Sequence, residues 1–371
     1  MINQGKDVPT PLGGWPKIPP EAAASYEAAQ DRLISEVEAA IGTDPRLTEV
    51  WGQPRLRELL HLNHQNHARF MATVFQLGAY QMLERVLPWA YRAYSHRGVP
   101  FAYFEVALPA WRQAVTRHLP IDHQPDILAV YDWMIAQHEA LVAEARRPLP
   151  PRRSSGAHQV FLTTLRAGDF RGALALARQR VTKPDDLAPF FQDVIRPAMV
   201  EIGLLWESGE LSVAQEHLLT AQVTMILSHL YCTALQAPRT RGKAVVSAAP
   251  NEFHELGALM VAQALEADGW SVIFTGANTP LHDLRELVRR EKPIFLAISV
   301  TMPYHLPAVR DFIVSCRADE ELRPLRIMVG GQAVTLAPDL LRLLQADGTA
   351  DSCVEAVQLA RNWECQRNQR G

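Results

Sequence analysis

Residues able to do chemistry gather in the last third of the chain, beginning with Glu252-Phe253-His254-Glu255-Leu256-Gly257. A histidine just ahead of a helix can present one imidazole nitrogen to a ligand. A carboxylate two residues earlier can hold the other nitrogen, which fixes the tautomer and raises the basicity of the free one. Gly257 would let a bulky planar group approach the start of the following helix. The alternative is a surface-loop histidine beside a solvated glutamate. Downstream stand Ser299-Val300-Thr301, with hydroxyls, and Gly330-Gly331-Gln332, whose paired glycines permit close passage of a ligand. Taken singly, a serine at a strand end is commonplace and Gly-Gly is a simple turn.

The elements that must position these residues are legible from periodicity. Ala244–Ala249, Ser271–Thr275, Ile294–Val300 and Arg326–Val329 read as short apolar strands. They alternate with helices over Leu256–Asp268, Leu281–Arg290 and Leu306–Cys316. That alternation predicts a Rossmann-like, doubly wound parallel sheet, whose ligands lie beyond the carboxyl ends of the strands. The residues named above all fall in those loops.

In this order, ExHxxG, SxT and GG resemble the DxHxxG…SxL…GG signature of base-off/His-on cobalamin-binding domains. The resemblance covers roughly 243–365. It implies that His254 ligates cobalt, with Glu252 as its hydrogen-bonding partner, and that Ser299 and Gly330-Gly331 line a slot for the dimethylbenzimidazole tail. Phe253, Gly257, Thr279, Thr301 and Gln332 complete the cofactor-binding set expected there. Glutamate in place of aspartate at 252 is a departure that keeps the carboxylate.

Residues 157–238 have the length and position of the four-helix cap that precedes such domains. Trp206-Glu207 and, nine residues on, Glu216-His217 resemble the cap of CarH-type adenosylcobalamin photoreceptors. Singly, Trp206 reads as a core aromatic and Glu216-His217 as a solvated helix start. The resemblance implies that Trp206 shields the adenosyl group, that Glu216 accepts from its ribose hydroxyls, and that His217 sits alongside. It also implies a sensor, not an enzyme, in which light breaks the cobalt–carbon bond and drives a conformational or assembly change. Glu207 departs from that family, which has a histidine there that takes over cobalt after photolysis; the upper ligand after light is thereby left open. The second reading is a corrinoid methyl-carrier of a methyltransferase system.

The first 150 residues differ in character. After a Pro/Gly-rich lead-in (1–20), residues 21–147 read as all-helical, with breaks near Pro45, Gly78, Gly98-Val99-Pro100 and Pro120, and 148–156 read as a linker. Residues 21–150 hold 12 arginines, no lysine and 15 acidic residues, which argues against a DNA-binding face. His61, His64 and His67 drift around a helix by about 60° per step, so a third ligand on one face is missing. His67-Ala-Arg69-Phe70, Leu87-Pro-Trp89 and Arg97-Gly-Val-Pro100 resemble globin-like helical sensor domains, as in photocobilins. That resemblance implies a biliverdin held near His67, Arg69, Arg92, His96 and Arg97. The partner is then a second copy or a separate effector, with no nucleic acid and no membrane. Four scattered cysteines without metal-ligand spacing, and no apolar run of about 18 residues, fit a reduced, cytoplasmic protein.

Overall fold

The computed structural model describes residues 14–147, 156–234, 238–337 and 339–369. The expected lead-in before residue 14 and the linker up to residue 155 lie outside them. The chain divides into two units: residues up to 149 together with Glu207–Gly209, and the remainder from Pro150 onward.

The first unit is helical: α1 (Pro20–Thr43), α2 (Thr48–Gly52), α3 (Pro54–Leu77), α4 (Gln81–Ser95), α5 (Ala102–His118), α6 (Pro125–Ala136) and α7 (His138–Ala145). Prolines open α1, α3 and α6, where a missing N–H costs nothing. Gly78 ends α3 with φ of 63°, the left-handed conformation glycine adopts without strain. Two breaks were not expected: Gln53-Pro54 separates α2 from α3, and Gln137 separates α6 from α7. Helix α1 packs on α3 and α5, burying Tyr26, Leu33, Val37 and Ile41 from α1 and Trp111 from α5.

The second unit begins with α8 (Ala157–Arg166), α9 (Phe170–Arg180) and α10 (Leu187–Phe190). The last runs through a π turn at Phe191–Ile195 into α11 (Arg196–Glu207), and α12 (Val213–Ala234) follows. Asp169 caps α9, accepting from Gly172 N at 2.8 Å. Ser212 and Gln215 form a reciprocal capping box at the start of α12 (2.9 and 3.3 Å). These helices enclose an apolar core of Phe161, Leu165, Phe190, Phe191, Ile195, Leu205, Val223 and Leu230, into which Ala264 and Cys353 of the following α/β part also pack.

That part contains β1 (Lys243–Ala248), α13 (Leu256–Ala267), β2 (Ser271–Phe274), α14 (Leu281–Glu291), β3 (Phe295–Ser299), α15 (Leu306–Ala318), β4 (Arg326–Gly330), α16 (Leu340–Leu344), β5 (Gly348–Ala350) and α17 (Cys353–Asn368). The sheet is wholly parallel, in the order β2-β1-β3-β4-β5. Its strand order reverses at β1, which pairs with β2 on one side and β3 on the other. At such a point the flanking loops diverge and leave a crevice beyond the strand ends. Strands β1, β3 and β4 are nearly continuous apolar runs, as a sheet covered on both faces requires. Among the described residues, no helix is long and apolar enough to cross a membrane.

Candidate cofactor site

The crevice at the reversal is where the 252–257 loop stands. It leaves β1 through Asn251, held at φ of 58°, and Asn251 N donates to Asn278 Oδ1 in the loop after β2 (2.9 Å). Asn278 N returns a bond to Glu252 O (3.1 Å), and Ala277 N donates to Glu255 Oε2 (2.9 Å). Loops β1–α13 and β2–α14 thus brace each other.

Glu252 is the centre of the arrangement. Its side chain is 1% exposed, whereas that of His254 is 62% exposed. Glu252 Oε1 accepts from His254 N at 3.1 Å and pairs with His254 Nδ1 at 2.6 Å. Its Oε2 accepts from Thr301 N (2.9 Å) and Met302 N (2.8 Å), and pairs with His305 Nδ1 at 3.2 Å. Burial alone would push this carboxyl up. The bonds from His254, His305 and Met302 N, with the charge of His254, outweigh it and hold the group far below the usual carboxylate range. An ionised carboxylate is acceptor-only, so the proton of His254 sits on Nδ1, leaving Nε2 an open lone pair on an exposed ring. The bond to Glu252 raises the His254 pKa; burial opposes it, and the charges of Glu252 and, from α12, Glu216 add to it.

Beside this loop a cavity of about 1090 Å³, counting its open mouth, runs between the helical and α/β parts of the second unit. Val246, Ala297 and Met328 give it an apolar floor, with Gly257, Ser299, Gly330, Gly331 and Gln332 along its wall. Phe191, Gln192, Arg196 and Val200 close it from the π turn and α11. A π turn carries an extra residue and shifts the phase of the helix after it. Gly331 is required as glycine: at φ of 94°, a Cβ there would stand 2.4 Å from Val300 O. A Cβ on Gly257 would lie 3.7 Å from Ser299 Oγ. The cavity has an apolar floor and a few polar edges, which fits a flat aromatic tail better than a small polar substrate.

The remaining expected residues fall as follows. Phe253 is 75% exposed beside His254. Thr279 Oγ1 lies 3.4 Å from Thr275 O, its donor turned back on its own loop. The side chain of Thr301 has no part in the Glu252 bonds; its backbone N–H does. Trp206 packs partly buried against the helical core, and Glu216 accepts from Thr220 Oγ1 (2.8 Å) while pairing with His217 Nδ1 (2.5 Å). His305 was missed by sequence reasoning: it lies 53 residues from Glu252, and no periodicity connects them.

In the first unit four of the five expected bilin residues already have protein partners. His67 Nε2 is 3.3 Å from Tyr131 Oη, with its ring against Trp111. Arg92 donates to Glu207 Oε1 and Glu144 O (both 3.2 Å), and His96 Nδ1 is 3.0 Å from Glu207 O. Arg97 donates to Ala93 O (2.8 Å), and Arg69 is exposed. Glu207 is therefore occupied by an arginine within this unit. His61 and His64 share Glu38 Oε1 (2.7 and 3.1 Å), and His64 Nε2 is 2.7 Å from Tyr103 Oη. Among the described residues no three His, Cys, Asp or Glu are placed to hold a metal ion.

Comparison with known proteins bears on the second unit. Residues 242–358 match a family model described as the B12 binding domain, and residues 158–231 match a second model of that description. The chain is 33% identical over 143 residues to the HTH-type transcriptional repressor CarH of Myxococcus xanthus, covering 38% of this chain and 47% of that one. To CarA of the same organism it is 28% identical over 193 residues, covering 49% and 61%. To the methanol–corrinoid protein of Methanosarcina barkeri it is 31% identical over 80 residues, covering 21% and 31%. The chain thus spans between about a third and three fifths of these relatives. The monomethylamine corrinoid protein of M. barkeri superposes with a TM-score of 0.48 at 17% identity, over 55% of this chain and 96% of that one, a likeness too loose to bear on function. Over residues 158–231 and 242–358 the chain is thus similar to B12 binding domains, and over part of their length it is similar to the CarH and CarA repressors.

Proposed function

We propose that this chain is a light sensor that holds adenosylcobalamin between the helices 157–238 and the sheet domain 243–365, with His254 Nε2 as the lower cobalt ligand. The observation that carries the reading is the exposed imidazole of His254, its other nitrogen locked to a buried, ionised Glu252; it stands three residues ahead of Gly257, which lines the cavity with Gly330 and Gly331. Ser299, Gly330, Gly331 and Gln332 would take the nucleotide tail, while Trp206, Glu216 and His217 would face the adenosyl side. The bound group supplies a light-labile cobalt–carbon bond. The chain's residues hold the ligand tautomer, clear the slot, and provide Glu216 contacts that depend on the adenosyl group being present. A group that contacts α12 in one state and not in the other biases the position of that helix; such a bias is enough for a switch without turnover.

Within the same proposal, the first unit is a globin-like domain holding biliverdin, and the output is a change in self-association or in a separate effector. Its support is the sequence resemblance around His67, Leu87-Pro-Trp89 and Arg97. The similarity to the methanol–corrinoid protein favours a second reading, a methyl-carrying corrinoid subunit. Absorption spectra of the chain loaded with adenosylcobalamin, in the dark and after green light, separate the two. A light-driven loss of the alkylcobalamin spectrum, accompanied by a change in hydrodynamic size or effector binding, is expected. Insensitivity to light would overturn the sensor. A second set of bands after expression with biliverdin tests the bilin.

A further inference from the structure

We propose that Tyr103 is a proton-coupled electron donor: it gives one electron to a light-excited aromatic chromophore and its phenolic proton to His64. The groups involved all lie in the first unit, apart from the cobalamin site. Tyr103 is 3% exposed and His64 1%. Tyr103 Oη stands 2.7 Å from His64 Nε2, and His64 Nδ1 is 3.1 Å from Glu38 Oε1. The bond from His64 leads the effects that hold Glu38 below the usual carboxylate range, so Glu38 is ionised and acceptor-only. The proton of His64 therefore sits on Nδ1, and its Nε2 lone pair accepts from the Tyr103 hydroxyl. The same Glu38 oxygen meets Nδ1 of His61 at 2.7 Å, and the His61 side chain is 52% exposed. Phenol, imidazole and carboxylate thus form a line from the core to the surface.

A second line of the same composition lies beside it. Tyr91 Oη is 3.1 Å from His138 Nδ1, and His138 Nε2 is 3.5 Å from Glu105 Oε1. Phe104 joins the two phenols, stacked on Tyr91 with centroids 3.6 Å apart and edge-on to Tyr103 at 5.1 Å. Tyr131 differs: the imidazole beside it, His67 at 3.3 Å, is pushed down to about 3 by burial and by the charge of His64, and is a poor proton acceptor. A buried phenol gives up an electron readily only when its proton leaves in the same event, because an unpaired charge in the core is costly. Tyr103 meets that condition. Its O–H bond breaks, the proton joins His64 Nε2, and the electron reduces the excited chromophore to its radical anion. His64 becomes an imidazolium between the phenoxyl oxygen and the Glu38 carboxylate, where its charge is paired. Return of the electron draws the proton back to Oη and restores both partners.

The test uses the full chain, prepared without cobalamin and illuminated with flavin mononucleotide as the light-excited acceptor. Electron paramagnetic resonance after freeze-quenching, with ring-deuterated tyrosine to identify the radical, reads the product. Radicals on exposed tyrosines meet and couple, whereas one on Tyr103 is shielded. The wild type is expected to give a tyrosyl signal that outlasts the flavin radical, and Tyr103→Phe to lose most of it. His64→Gln keeps an oxygen to accept from the hydroxyl but removes the base. Formation of the radical should then slow about tenfold, or about 1.4 kcal/mol of barrier. A role in packing alone would not move that rate. A wild type with no lasting tyrosyl signal, a Tyr103→Phe variant that keeps the signal, or a His64→Gln variant with the wild-type rate would each overturn the proposal. Should either buried variant not fold, Glu38→Gln at its partly exposed position on α1 decides: the radical should form more slowly there too, and an unchanged rate would count against the relay.

Discussion

Glu252→Gln changes one oxygen of the buried carboxylate to an amide nitrogen, and the structure determines where that nitrogen goes. Placed at the Oε2 position, it would confront Thr301 N–H and Met302 N–H, orphaning two buried donors at about 1–3 kcal/mol each. Placed at the Oε1 position, it confronts one backbone donor, His254 N–H, and the imidazole can adapt by moving its proton from Nδ1 to Nε2. The second arrangement wins by roughly one unsatisfied donor. Its consequence is a proton on Nε2, the nitrogen proposed to meet cobalt. Restoring the other tautomer forces Nδ1–H against the amide N–H, which costs about 2 kcal/mol, or roughly 30-fold in affinity. Loading ¹⁵N-labelled protein with cob(II)alamin and recording its electron paramagnetic resonance reads the ligand directly. Wild type should show a doublet splitting from the protein's ¹⁵N, and the variant should lose it in most molecules. A variant that keeps both the splitting and an affinity within twofold of wild type would refute this account of Glu252.

Three further outcomes are expected. Gly331→Ala sets a Cβ 2.4 Å from the Val300 carbonyl at a positive φ, so thermal melting should show a loss of at least about 2 kcal/mol; a loss below half of that would contradict the geometry. His67, pushed down to about 3 by burial and by the charge of His64, is held neutral in the fold, so the unfolded chain binds its proton first as pH falls. Its stabilising effect is whole above about pH 6.5 and disappears toward pH 3, reaching a deficit of about 2 kcal/mol at pH 5 as a ceiling for a partly covered ring, and His67→Phe should flatten that acid limb in denaturant titrations. Tyr26→Phe removes one partner of the buried 2.6 Å Tyr26–Tyr131 hydroxyl pair and should cost about 1 kcal/mol, with no effect on cobalamin affinity.

Much of the sheet was legible because four of its strands are apolar runs flanked by helices of the right length. Their observed bounds differ from those expected by a residue or so. Strand β5 was not legible: Gly348-Thr349-Ala350 has no apolar run, and it exists because β4 offers it an edge. The π turn likewise has no sequence signature, since its extra residue is accommodated by packing. At the site, the proposed ligand histidine, His254, and the carboxylate of Glu252 are two residues apart and could be paired on paper. The donors that keep that carboxylate ionised could not, because Thr301, Met302 and His305 reach it only through the reversal of strand order at β1. In the first unit, the resemblance to globin-like sensor domains implied a bilin near Arg92, His96 and His67. The folded chain partners Arg92, His96 and His67 with Glu207 and Tyr131, pairings that depend on distant helices and leave no local trace.

The apolar seam joining the helices of 157–234 to the sheet has a thermodynamic consequence. Because Ala264 and Cys353 sit inside the helical core, neither part of the second unit can melt without exposing surface of the other. The unit should therefore unfold as one cooperative block, and whatever binds to its sheet loops protects the helices as well, by mass action. A rearrangement of those helices must slide along the seam instead of lifting off it, so small displacements are the form of motion this packing permits.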